Sequence, residues 1–319
     1  MNKNFALIGA SGYIAPRHMK AVKETGNNLV VAFDPYDGIG VLDNYFPDAS
    51  FFTEFERFDR FVDKWHRRTK RKIDYMSICS PNYLHDSHIR FALKSDADAI
   101  CEKPLVLNPW NVEQLGIIEN ETGNKINNIL QLRLHPSIIK LKEQVSLELK
   151  ENPSRTYDID LTYLTSRGKW YFVSWKGNES KSGGIASNIG IHFFDMLLWI
   201  FGGVVNNTVH IKKTDINAGF LQLKHANIRW FLSVNSEYLP KKQIKIDQRT
   251  YRSITIDKKE IEFSGGFADL HTKSYLEILK GNGFGLNDTY NAIKAVSEIR
   301  NLQPVGLKEE YHPLCKKVN

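Results

Sequence analysis

A chain of 319 residues, 42% apolar and 25% charged, is long enough for two cores and too ordinary in composition for a disordered or fibrous protein. No apolar run approaches the ~20 residues a bilayer span needs, and the strand-like run that follows Met1-Asn2-Lys3-Asn4 leaves no room for a signal peptide, so a cytoplasmic protein without membrane insertion is expected. The formal charge of +7 suits either a solvated surface or an anionic substrate.

The basic run Arg67-Arg68-Thr69-Lys70-Arg71-Lys72 has no interleaved aromatic residue, so nucleic acid is not expected as a partner. Three cysteines, Cys79, Cys101 and Cys315, form neither a disulfide framework nor a metal-spaced cluster, and no metal is expected.

Over the first 130 residues, apolar runs at 5–9, 29–33, 75–79, 97–101 and 126–130 alternate with helical patterns at 14–25, 55–66, 83–94 and 110–122. That alternation predicts a Rossmann-type doubly wound parallel sheet. From Arg155 onward, alternating runs at 157–164, 208–213, 220–224, 228–235, 243–247 and 251–256 predict a second α/β domain with a large, mostly antiparallel open sheet. An apolar helix at 184–201 interrupts it, and amphipathic helices follow at 270–280 and 288–302. The expected domains are 1–133 for nucleotide binding and 134–319 for substrate binding and oligomer contacts.

Where the first strand meets the first helix stands Gly9-Ala10-Ser11-Gly12-Tyr13-Ile14-Ala15, a variant of the G-x-G-x-x-G/A pattern with Gly9 and Gly12 three apart. Pyrophosphate needs a tight turn, a bare backbone and free helix N–H groups there, and Gly9, Ser11, Gly12, Tyr13 and Ile14 are placed around it. Asp34 closes the second strand about 20 residues on. A carboxylate at that point accepts from ribose hydroxyls and repels a 2′-phosphate, so NAD is expected rather than NADP.

The third and fourth long strands run into Ser80-Pro81-Asn82-Tyr83-Leu84-His85 and Cys101-Glu102-Lys103-Pro104, at strand ends where open sheets take ligands. The glycine turn, the Ser-Pro-Asn-x-x-His segment and the Glu-Lys-Pro segment, in this order, resemble the Gfo/Idh/MocA oxidoreductases over nearly the whole chain. The resemblance implies that Ser80, Asn82, His85, Glu102 and Lys103 lie along the nicotinamide end of NAD, with Gln131 and Trp170 as further contacts. It also implies that Lys103 stands near the carbon that exchanges hydride, and that the Lys103–Pro104 bond is open to the cis form.

In the second domain, Gly184, Asn188, His192 and Asp195 fall at i, i+4, i+8 and i+11 if the segment is one helix, a polar stripe on an apolar rod. Members of the family carry a catalytic His in the position of His192. Many have Asp where this chain has Asn188, and an amide cannot raise imidazole basicity as a carboxylate does. Whether His192 or Lys103 is the general base stays open at this point.

Residues 165–177 combine Arg167, Lys169 and Lys176 with Trp170, Tyr171, Phe172 and Trp175, which suits either a grip on an anionic sugar nucleotide or an aromatic oligomer contact. Arg167, Lys176, Asn188 and His192, with Lys103, are the candidate substrate contacts. This segment, the stretch 267–276 and the turn 281–285 resemble one branch of the family, the UDP-N-acetyl-D-glucosaminuronate 3-dehydrogenases. The branch implies oxidation of the C3 hydroxyl of UDP-N-acetylglucosaminuronic acid in bacterial surface polysaccharide biosynthesis. It also implies NAD regeneration by 2-oxoglutarate, and a homotetramer or dimer. A family dehydrogenase acting on a neutral sugar or polyol, and a non-catalytic NAD-binding sensor, are the alternatives.

Overall fold

The structure, a computed structural model, describes residues 2–38, 40–261, 269–308 and 310–318. The chain forms two compact units, residues 1–131 with 269–290 and residues 132–268 with 291–319.

The first unit is built on six strands: β1 (Asn4–Ile8), β2 (Asn28–Phe33), β3 (Ser50–Phe52), β4 (Tyr75–Ile78), β5 (Asp98–Cys101) and β6 (Ile126–Asn128). They pair in parallel throughout, in the order β3-β2-β1-β4-β5-β6. Because β1 lies between β2 and β4, the winding reverses at β1, and a crevice opens at the carboxyl ends of β1 and β4. The sequence pattern anticipates five of these strands. The sixth, β3, has three half-buried residues, too few for any alternation to be visible.

Helix Ala15–Glu24 buries His18, Met19 and Val22, the i, i+1 and i+4 positions that face the sheet. Helix Leu270–Leu279, assigned by sequence to the second domain, belongs by contact to the first unit. Its Tyr275 and Ile278 share a core with Phe5, Leu7, Met19 and Val22, and the Phe5 and Tyr275 rings stack at 5.8 Å. An amphipathic pattern says that a helix has a buried face, not which core receives it.

The second unit holds β7 (Tyr157–Thr165), β8 (Val204–Lys212), β9 (Ile216–Leu223), β10 (Ala226–Ser233), β11 (Thr250–Ile256) and β12 (Lys259–Ile261), in the order β12-β11-β7-β10-β9-β8. The pair β7–β10 is parallel and the other pairings are antiparallel. The fully buried Trp230 meets Phe194 edge-on at 5.4 Å and lies across Gly219, where a Cβ would come within 2.6 Å of the indole.

The run 243–247, expected as a strand, is helical over Lys241–Lys245. Its alternating Ile244 and Ile246 are both more than half exposed, so the period-2 pattern serves no buried face, and Pro240 immediately before it favours a helix start. Helix Pro136–Glu151, which the sequence reading passes over, buries Ile138, Leu141 and Val145.

By length and composition Glu179–Phe201 would span a bilayer, which corrects the reading that no run approaches that length. However, 78% of its apolar window is buried inside the protein, as in a core helix. It is also not one regular helix. Gly183 and Gly184 have φ of 78° and 74°, left-handed values that interrupt helical geometry. A π-turn follows at Ala186–Gly190, and only then the α-helix Ile191–Phe201.

Within that helix Asp195 is committed to Arg133. The guanidinium grips both carboxylate oxygens, Nε to Oδ2 at 3.0 Å and NH2 to Oδ1 at 2.7 Å, with both side chains buried. Replacing Arg133 by Met leaves a buried carboxylate without its counter-ion, so Arg133→Met is expected to lose about 3–5 kcal/mol of stability. The double variant Arg133→Met with Asp195→Leu should recover most of that loss in urea denaturation. If the double variant is no more stable than the single one, the pair is not the cause.

Candidate active site

The glycine turn is fixed by its neighbours. Gly9 has φ of 89°, and a Cβ on it would stand 2.6 Å from the carbonyl carbon of Cys79 and 2.7 Å from the backbone nitrogen of Ser80. Its N–H donates to Phe33 O at 2.8 Å, and the Gly12 N–H closes the turn on Gly9 O at 3.1 Å. Helix Ala15–Glu24 starts immediately after, with Pro16 in its first turn. Around this turn Tyr13 is 87% exposed and Ile14 is half-buried.

Asp34 follows β2 and is only 6% exposed. Its Oδ2 accepts the Ser11 N–H at 2.9 Å and its Oδ1 accepts the Tyr36 N–H at 3.0 Å, while the Ser11 hydroxyl donates to Tyr36 O at 2.7 Å. The carboxylate is therefore held in place against the glycine turn, with lone pairs left over for a diol. A bare α-carbon, an adjoining helix N-terminus and a fixed carboxylate fit the phosphates and ribose of a dinucleotide.

The loop after β4 is braced by histidines. Ser80 Oγ and His88 Nδ1 share a hydrogen bond of 2.8 Å, and burial beside His85 pushes the His88 imidazole down to about 4. His85, expected at the cofactor, is itself buried, with Nδ1 on Pro104 O and Nε2 on Ser80 O, both at 2.8 Å. Both ring nitrogens are thus taken up in clasping two loops together. Burial pushes its imidazole down, against the opposing effect of the two carbonyls. Asn82 is buried in the same loop.

The peptide bond Lys103–Pro104 is cis. Lys103 is half-buried, and its N–H donates to Oε2 of Glu102 at 3.2 Å. Glu102, also expected as a cofactor contact, is instead engaged by protein. Its Oε1 accepts from His18 Nε2 at 3.0 Å and from His271 Nε2 at 2.8 Å. Behind His18, Nδ1 meets the Tyr275 hydroxyl at 2.7 Å, and that hydroxyl meets Ser77 Oγ at 2.6 Å.

Burial alone would raise the Glu102 carboxyl, but the two imidazole hydrogen bonds and charges outweigh it and hold it well below the ordinary range. Burial lowers His18. His18, Glu102 and His271 bring ligand-type atoms within 4.8 Å of one another, a grouping no spacing in the sequence announces. Of the stretch 267–276 singled out in the sequence, Phe267 and Ala268 lie outside the described residues. Gln131, expected near the nicotinamide, is the last residue of this run of the first unit and is half-buried.

In the second unit, Trp170–Val173 is a short helix followed by the turn Trp175–Gly177. The Lys176 ammonium lies 4.4 Å from the Trp175 ring centre and 5.8 Å from that of Trp170, and Trp170 is half exposed. Arg167 is exposed, with its N–H on Val234 O at 2.9 Å. Asn188 is buried, and its amide donates to the Tyr171 hydroxyl at 2.9 Å.

His192 is half-buried on Ile191–Phe201. The expected stripe of four does not form. Gly184 opens the helical run with a left-handed φ of 74°, the π-turn rotates Asn188 away from α-helical register, and Asp195 faces Arg133.

These features define a dinucleotide-binding α/β oxidoreductase. Residues 3–128 match the oxidoreductase family, NAD-binding Rossmann fold, and residues 155–240 match the C-terminal alpha/beta domain of the same family. The chain belongs to the Gfo/Idh/MocA oxidoreductases and is an NAD-dependent enzyme.

Among solved structures, the WlbA (WbpB) dehydrogenase from Thermus thermophilus in complex with NAD and alpha-ketoglutarate is 46% identical, with a TM-score of 0.93 over 98% of this chain and 99% of that one. The same dehydrogenase in complex with NAD and UDP-GlcNAcA is 45% identical, with a TM-score of 0.92 over the same shares, 98% and 99%. D-glucoside 3-dehydrogenase from Escherichia coli (strain K12) is 27% identical over 135 residues, 41% of this chain. That match spans 36% of the curated relative's own length.

Asp34→Ala removes the acceptor of two N–H groups and the carboxylate expected to meet a ribose diol. Loss of a charge-assisted hydrogen bond costs about 1.5–3 kcal/mol, so the NAD dissociation constant should rise roughly 10–100-fold. The preference for NAD over NADP should narrow, as read by titration calorimetry with both cofactors. An unchanged NAD affinity would remove Asp34 from the site.

Proposed function

We propose that this chain oxidises the C3 hydroxyl of UDP-N-acetylglucosaminuronic acid to the 3-keto sugar nucleotide, with 2-oxoglutarate restoring the oxidised cofactor. The observation that carries this reading is the 46% and 45% identity, over 98% of the chain, to a dehydrogenase solved with NAD and each of those two compounds. A uronate with a diphosphate is strongly anionic, which agrees with the formal charge of +7.

Bound NAD supplies the hydride acceptor. The protein's part is to place the alcohol and take its proton. Imidazole is the readier base near neutral pH, so His192 takes the hydroxyl proton as C–H hydride leaves. The Lys103 ammonium holds the same oxygen and stabilises the negative charge that grows on it. Arg167 and Lys176 meet the uronate and phosphates, and Asn188 orients the sugar. In the return half-cycle hydride reduces the keto group of 2-oxoglutarate, the proton is given back, and 2-hydroxyglutarate leaves. The same reading takes the enzyme to be cytoplasmic, a homotetramer or dimer, and on a route to bacterial surface polysaccharide.

Incubation with UDP-N-acetylglucosaminuronic acid and 2-oxoglutarate should yield 2-hydroxyglutarate and a 3-keto sugar nucleotide in equal amounts, by mass spectrometry. Lys103→Ala and His192→Ala should each cut turnover by about 10²–10⁴-fold with NAD binding retained. If neutral glucosides turn over and UDP does not compete, the sugar-nucleotide assignment is wrong; full activity in either variant removes that residue from the chemistry.

A further inference from the structure

We infer that His18 and His271, backed by Tyr275, are positioning residues for Lys103: through Glu102 they fix the peptide turn that presents its ammonium. This rests on the catalytic reading of Lys103 proposed above.

The chain of contacts is short and directional. Ser77 donates to the Tyr275 oxygen, the Tyr275 hydroxyl donates to His18 Nδ1, and His18 Nε2–H donates to Glu102 Oε1. His271 Nε2–H donates to the same oxygen, and Glu102 Oε2 takes the Lys103 N–H. In that arrangement each donor has an acceptor and the carboxylate stays ionised.

Glu102 is also anchored through its backbone, with its N–H on Ile78 O at 3.0 Å and its carbonyl accepting from Asn128 Nδ2 at 3.3 Å. The residue before Lys103 is therefore immobilised at its carboxylate and on both sides of its backbone. A rigid mount matters because a shift of about 1 Å in a reacting group can cost roughly 100-fold in rate.

Among the described residues, besides Lys103 itself, titratable groups around Glu102 come from several neighbouring elements. They are His18 of Ala15–Glu24, His271 and Tyr275 of Leu270–Leu279, Cys79 after β4, Cys101 of β5 and His85 of His85–Lys94. Burial drives both thiols and the phenol upward and His85 downward, so of these groups it is the two imidazole donors that keep Glu102 low. Removing one donor raises the Glu102 carboxyl, and protonation then reaches it at higher pH. A protonated Glu102 needs an acceptor of its own and releases the turn.

The test is His271→Leu beside His271→Gln, whose amide nitrogen replaces Nε2 as a donor. In His271→Leu, kcat should fall about 10–100-fold, the KM for the UDP-sugar and the NAD affinity should stay within about threefold, and the acid limb of the kcat–pH profile should move upward. His271→Gln should restore both kcat and the limb. An unmoved acid limb in a folded, NAD-loaded His271→Leu overturns the inference, as does a KM effect with kcat intact.

Should His271→Leu fail to fold, Tyr275→Phe probes the same network through His18. It should lower kcat severalfold and raise the acid limb, and a wild-type profile counts against the proposal. Imidazole ¹⁵N–¹H spectra of the protein, which need no turnover, should show protons on Nε2 of both histidines. If the wild type is inactive on the UDP-sugar while those spectra hold, the substrate reading has failed and the network has not. If His18 carries its proton on Nδ1, the network is wrong whatever the substrate.

Discussion

An ionised carboxylate sealed from water is among the most demanding groups a fold can contain, and Glu102 is one. Taking it out of water costs several kcal/mol unless donors replace the lost hydration. No residue near it in sequence supplies enough of them. The donors come from helix Ala15–Glu24 and from helix Leu270–Leu279, which lie 84 and 169 positions away along the chain. After strand β12 of the second sheet the chain returns to the first sheet, and the return brings the His271 donor to Glu102. That return is why residues 269–290 belong to the first unit.

A second constraint lies at the glycine turn. Gly9 sits against the backbone of Cys79 and Ser80, so β1 and the loop after β4 meet without side chains between them. This close approach puts the turn beside the Ser80–His85 loop, and His85 in turn ties that loop to Pro104. Three loops at the carboxyl ends of parallel strands thus behave as one braced rim. Preorganisation of this kind is where an enzyme of this class gains rate: the dipoles and charges stand in place before the substrate arrives.

The parts legible in the sequence are those whose physics is local. A glycine turn between strand and helix, an acid at the end of the next strand and Glu-Lys-Pro after a buried strand each carry their meaning in a few neighbouring residues. The Rossmann sheet and the nucleotide-binding end of the site follow from them. What escaped is set by distant partners. His85 looked like a ligand contact because it follows a strand end, yet two carbonyls occupy it. Glu102 looked available until histidines from elsewhere closed on it. Ile244 and Ile246 alternate as a strand would, but no neighbouring strand receives them. The stripe from Gly184 to Asp195 assumed a 3.6-residue period, and one π-turn was enough to break it.

Asn188 shows how such a break can matter. Its amide is buried against the Tyr171 hydroxyl, so it can orient a neighbour but carries no charge. The Asp that the family resemblance leads one to expect at this position would bring a further negative group, beside Tyr171, into the unit that carries Arg167, Lys176 and His192. For a neutral polyol that charge meets no repulsion from the substrate. For a substrate that already brings a uronate and a diphosphate it adds like-charge repulsion in a partly desolvated setting, where each unit charge at about 4–6 Å counts for kilocalories rather than tenths. A neutral Asn keeps the hydrogen bond to Tyr171, with the amide as donor, and adds no negative charge near the 165–177 segment. An uncharged amide at position 188 therefore agrees with an anionic substrate better than a carboxylate there would.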